Sequence, residues 1–153
     1  MNFRINTIRI YAKYYHLRNT NIHFIYSEQY LRLDKVPFIE SLNNDPFAFS
    51  CCRNEQNNNV EAYIIYSPFN CKLYNINNDE INAAISHEVG HIVHYFNETL
   101  NGKPNIIHEI KADEVVAYLG LSLPLSNLLS KLIASNNFTD YQEQSMKKRI
   151  MLL

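Results

Sequence analysis

Hydrophobic positions change their period part-way along the chain. Between residues 21 and 66 they come in short runs of strand character. "NIHFIY" (21–26) alternates, while "DPFAFSCC" (45–52) and "VEAYIIY" (60–66) have strand composition. The polar "RNEQNNN" between the last two predicts a hairpin loop, and Ser67-Pro68 ends the second strand. Upstream, residues 5–17 suit a tyrosine-rich amphipathic helix. From Asn77 onward the period is helical. Asn77 is a good N-cap, Glu80 three residues on completes a capping box, and Asp79 favours the positive end of the helix dipole. That helix is expected to reach Phe96 or Asn97, with Asn101-Gly102 turning the chain. A second follows over about 105–119, stopped by Gly120. Pro124 opens a third through about 134, and a basic helix over about 141–152 ends the chain. A small antiparallel or mixed sheet followed by an active-site helix, a second helix bearing a glutamate and C-terminal helices predicts one α+β domain over residues 1–153.

Composition narrows the classes. A chain of 153 residues with 46% apolar and 19% charged residues builds one core and not two. Fourteen basic residues against 15 acidic ones give net −1, which draws it neither to nucleic acid nor to an anionic membrane. Cys51, Cys52 and Cys71 are odd in number and lack CxxC spacing, so they are expected as reduced thiols in a cytoplasmic protein. The N-terminal segment carries basic residues throughout and has no apolar core leading to a small-residue cleavage site, unlike a secretory signal. The apolar stretch 115–134 is interrupted by Pro124, Asn127 and Lys131, which predicts a pair of core helices and no membrane span.

The candidate chemistry lies in "AISHEVGHIVHYF" (84–96), where two imidazoles and a carboxylate interrupt an apolar helix. Residues four apart on a helix sit about 40° apart around the axis and one turn apart along it. His87 and His91 therefore project side by side and can reach one ion at roughly 2.0–2.1 Å. Ile81, Ile85, Val89, Ile92 and Phe96 form a neighbouring apolar stripe. Glu88 falls between stripe and histidines, placed to act as a base without ligating. Catalytic zinc takes three protein ligands and keeps one position open, so a third is needed. The metzincin extension is absent, because His94 and Asn97 stand where it needs glycine and histidine. His94 is also about two turns, roughly 10 Å, from His87, which suits a supporting or exposed place.

Downstream, "HEIKADEVVAYLG" sets Glu109 and Asp113 four apart on one helix face, with the small residues Ala112, Val116, Ala117 and Gly120 allowing close approach. Glu109 is the candidate third ligand, and Asp113 the acceptor for the second N–H of a ligating histidine. The competing reading is a solvated acidic face, paired with Lys111 or simply exposed. His108 and Glu114 point away from that face.

"NNDEINAAISHEVGH" followed by "EIKADEVVAYLG" resembles the gluzincin metallopeptidases, whose pattern is HExxH then ExxxD. In detail it is similar to the HtpX and CAAX-prenyl-protease group and its small soluble relatives, the minigluzincins, over about residues 60–135. The lead-in, a short edge strand, a loop and a capped helix, fits "VEAYIIYSPFNCKLYNINNDEINAAISHEVGH". The terminal "KKRI" (147–150) echoes a late Arg-Ile of that family, but the preceding His-Pro has no counterpart, so a carried-over role for Arg149 is in doubt. The resemblance implies a zincin-like fold and a strand at 60–66 that forms the cleft rim and pairs with an extended peptide.

The resulting expectation is a zinc-dependent endopeptidase acting on a peptide or protein. His87, His91 and Glu109 hold zinc, and Glu88 takes the proton of the attacking water and passes it to the leaving amine. Tyr118, Tyr141 and Arg149 are unranked candidates for an oxyanion donor, each read first as structural. The terminal helix or N-terminal segment is a candidate self-inhibitory plug. Two rivals stand beside this: a zinc-containing regulatory or protein-binding module with little proteolysis, and a metal-free interaction domain. Glu88 favours the peptidase, since a structural zinc site fills all four positions and has no use for a base.

Overall fold

The strand VEAYIIY is paired along both of its edges and lies in the middle of its sheet. The computed structural model of the protein describes residue 13 and residues 20–26, 46–53, 60–95 and 106–153. The expected helix at 5–17, the loop after the second strand and the Asn101-Gly102 turn lie outside them, Lys13 apart. Three strands, β1 (Thr20–Tyr26), β2 (Phe47–Arg53) and β3 (Val60–Tyr66), form a sheet of order β1-β3-β2. β2 and β3 pair antiparallel, as the hairpin pattern requires, with Phe47 opposite Tyr66. β1 pairs with β3 in parallel, Thr20 opposite Val60, so the sheet is mixed and not purely antiparallel. Ala62 and Ile64 join the main core, while Ile65, on the opposite face, is equally inaccessible.

A short helix, α1 (Pro68–Leu73), follows at once. Sequence periodicity passes over it because six residues are too few to show a stripe. Its start signal is nonetheless present: the Ser67 side chain accepts from the Asn70 N–H at 3.2 Å, and Pro68 occupies the first turn. Asn75, at φ 52°, turns the chain into α2 (Asn78–Tyr95). The capping box forms as read: Asn77 N donates to Glu80 Oε2 at 2.9 Å, and Glu80 N to Asn77 Oδ1 at 3.0 Å. Glu80 is buried, and Lys131 secures it at 2.7 Å while also donating to the Asn75 carbonyl at 2.6 Å.

The remaining helices are α3 (Ile106–Tyr118), α4 (Ser122–Ala134) and α5 (Asp140–Leu152). Gly120, at φ 76°, closes α3: it donates to Ala117 O while Leu121 N reaches back to Val116 O, both at 3.0 Å. α4 begins two residues before Pro124. The proline sits within the first turn, where its missing N–H has no helical partner to lose. Its Leu125, Leu128, Leu129 and Leu132 are buried at i, i+3, i+4, i+7 spacing. Thr139 and Gln142 form a second capping box at the start of α5.

α2 lies at the centre, packed on β2, β3, α3 and α4, and Ile81, Ile85, Val89, Ile92 and Val93 are buried along it. Its closest neighbour is α3. A Cβ built on Gly90 would stand 2.5 Å from the Ala112 carbonyl oxygen and 2.6 Å from its Cα. The buried positions of α3 are Ala112, Asp113, Val115 and Val116, while Ala117 and Gly120 are exposed. Close approach therefore depends on Gly90 against Ala112, and the expected small-residue face holds only for Ala112 and Val116.

Gly90→Ala is expected to force the two helices apart, destabilising the protein by about 2–3 kcal/mol in urea unfolding. Gly120→Ala, with open space around it, meets only left-handed strain of about 1–2 kcal/mol. Equal losses would show that the helix crossing has more slack than its backbone contact implies.

Candidate metal centre

The helix crossing decides where the polar side chains meet. His87 and His91 lie one turn apart on α2, and Glu109 and Asp113 one turn apart on α3, with the Gly90–Ala112 contact beside them. His87 Nε2 lies 3.0 Å from His91 Nε2 and 3.3 Å from Glu109 Oε2, and His91 Nε2 lies 3.3 Å from Glu109 Oε1. These three residues are brought together as a set able to hold a metal ion. Two donors bound at about 2.0–2.1 Å in a tetrahedron stand about 3.3 Å apart, so the spacing and the nitrogen–oxygen chemistry both fit zinc. Glu109 and Asp113 do not form a solvated face: Asp113 is buried, and Glu109 is covered by both histidines.

Asp113 Oδ1 lies 2.7 Å from His87 Nδ1. A carboxylate only accepts, so His87 donates its Nδ1–H there and turns Nε2 toward Glu109 and His91. The 3.2 Å approach of Arg149 Nη2 to the same Nδ1 is then a contact between two N–H groups and not a hydrogen bond. Arg149 is nonetheless the residue that sequence reasoning underrated. It lies on α5, yet its Nε donates to Asp113 Oδ2 at 2.7 Å, Nη2 to Asp113 Oδ1 at 2.8 Å, and Nη1 to Glu109 Oε2 at 2.6 Å. A signal was available, because Met146, Arg149, Ile150 and Leu153 share one apolar stripe. An arginine on such a stripe is buried and must be paired.

Glu88 faces the same cluster, buried, and its carboxylate makes no hydrogen bond to any described residue. Tyr118 and Tyr141 are exposed, and the Tyr118 ring receives Lys13 Nζ at 4.1 Å. His94 is half-buried and donates to the Lys111 carbonyl at 3.1 Å. His108 is half-buried and Glu114 exposed. Cys71, one of the three cysteines expected as reduced thiols, is free and buried, and burial pushes its pKa up to about 12. No helix among the described residues is long and apolar enough to cross a membrane. Since β3 has a strand on either side, an extended peptide has no free edge there; among the described residues the edges of the sheet are β1 and β2, and β2 packs on α2.

Charge in the cluster is strongly coupled. Burial and Arg149 both oppose a second proton on His87, but hydrogen bonds to Asp113 and Glu109 outweigh them and raise its pKa to about 9. Burial likewise opposes ionisation of Glu109 and Asp113. The histidines and Arg149 overcome it, holding Glu109 well below the usual carboxylate range and Asp113 below its own. For Glu88 burial prevails over the nearby cations and raises its pKa. Compared with protein-family models, curated proteins and solved structures, the chain finds no significant match.

A group whose pKa rises on folding stabilises the fold while protonated. The His87 contribution is thus complete below pH 6.5 and lost as pH climbs through about 9, with Glu88 acting in the same direction. Glu109 and Asp113 act oppositely, stabilising above their unfolded values of 4.5 and 3.8 and losing that contribution on acidification. The melting temperature of chelator-treated protein is expected to fall between pH 6.5 and 9, and Asp113→Asn to flatten that fall. A profile unchanged by Asp113→Asn would disprove the assignment to His87.

Proposed function

We propose that the chain is a zinc-dependent endopeptidase of the gluzincin kind, a minimal zincin-like domain acting on peptide or protein substrates in the cytoplasm. The observation that carries this reading is Glu88: a buried acid with no hydrogen bond to a described residue, beside three donors spaced for one ion. A site serving only stability would fill all four positions with ligands and gain nothing from an adjacent base.

His87, His91 and Glu109 hold the metal in this proposal. Zinc, when bound, supplies Lewis acidity toward water and the scissile carbonyl. Glu88 receives the proton of the attacking water and returns it to the leaving amine, a task matched by a carboxyl whose pKa is raised. Asp113 fixes the His87 tautomer through Nδ1, leaving Nε2 unprotonated for ligation. The extended substrate pairs with β2, the edge strand packed against α2, in place of the interior β3. The suggested self-inhibition is best tested by trimming the N-terminal segment, because removing α5 also strips Arg149 from Glu109 and Asp113.

Protein purified without added metal or affinity tag is expected to carry about one zinc per chain, and Glu109→Ala to lose most of it. Glu88→Gln should keep the zinc yet cleave a peptide library at least about 100-fold more slowly. Zinc with no cleavage by the wild type would point to a regulatory or protein-binding module. No zinc even after reconstitution would leave a metal-free interaction domain.

A further inference from the structure

We propose that Arg149 sets the coordination number of the site by occupying Glu109 Oε2, which leaves Oε1 as the single carboxylate oxygen for a metal ion. This inference rests on the metal reading above. The two oxygens of Glu109 face different histidines, Oε2 toward His87 and Oε1 toward His91, each at 3.3 Å. Left alone, such a carboxylate is placed to bind an ion through both oxygens. Carboxylates do so readily for ions that take six or more ligands, whereas zinc settles at four.

The guanidinium closes one of those two options. Its Nη1 donates to Oε2 at 2.6 Å, and the group cannot drift away, since Nε and Nη2 grip both oxygens of Asp113 at 2.7 and 2.8 Å. Arg149 and Asp113 are each 6% exposed, so neither swings into solvent without unpacking α5. Arginine retains its charge at every working pH, and its rigid planar fork holds two carboxylates in fixed directions, which a flexible ammonium does not. Arg149 is a positioning residue. It acts through Glu109 and keeps the protein donors to three, which favours zinc or cobalt over harder ions that need more oxygens. Asp113 accordingly has two tasks, aiming Nε2 of His87 and aiming the guanidinium at Glu109.

Cobalt(II) loaded into metal-free protein reports coordination number through its visible bands, independently of activity. The wild type is expected to give the intense bands of a four-coordinate ion. Arg149→Met, and Arg149→Lys, which keeps the charge without the fork, should give bands several-fold weaker. Wild-type intensity in either folded variant, or weak bands in the wild type itself, would overturn the proposal and leave the metal site standing. Failure of the wild type to take up cobalt would overturn the metal reading and this proposal together. Should the variants not fold, zinc-edge X-ray absorption of the wild type decides. Four light ligands at about 2.0–2.1 Å support the proposal, and a shell of five or more overturns it.

Discussion

The buried cluster of His87, His91, Glu109 and Asp113 depends on how closely α2 and α3 approach. Gly90 lies against the backbone of Ala112, with no room for a Cβ. That contact brings His87 and His91, on either side of Gly90, within reach of Glu109 and Asp113, on either side of Ala112. Had Gly90 been any other residue, the helices would stand further apart, and Glu109 would no longer meet both histidines. The same glycine lies within the HExxH stretch, where spacing arguments treat it as a filler position.

Bringing three carboxylates, two histidines and an arginine into one largely buried cluster is costly unless charge and hydrogen bonding are balanced. The balance turns on Asp113, which accepts from His87 and from both arms of the Arg149 fork. Glu109 is similarly held by Arg149 and the histidines. Although burial and Arg149 oppose it, the second proton of His87, favoured by Asp113 and Glu109, adds positive charge among the carboxylates. Glu88 stands apart from this network. It is buried among its neighbours' charges, bonded to none of the described residues, and burial raises its pKa.

The mixed sheet supports α2 through β2 and β3. β3 is paired along both edges; Ala62 and Ile64 join the core, and Ile65 on the opposite face is also buried. The resemblance placed the strand at 60–66 on the cleft rim. The parallel pairing of β1 gives that strand a neighbour on either side, and no local pattern in residues 20–26 announces that choice.

What the sequence alone determined is what one element encodes within itself. The four-residue spacings of His87 with His91 and of Glu109 with Asp113, the Asn77–Glu80 box, the Gly120 stop and the β2–β3 hairpin are all short-range, and helix or turn geometry converts each directly into position. The short helix α1 and the early start of α4 were missed for a related reason, since a single turn or a tolerated proline leaves little periodic trace. Tertiary structure decided what joins distant elements: the parallel place of β1, the contact of Gly90 with Ala112, and the arrival of Arg149 at a carboxylate 36 positions earlier in the chain. Such pairings depend on how whole helices and strands pack, and a one-dimensional pattern records that a residue will be buried without recording which partner it will meet.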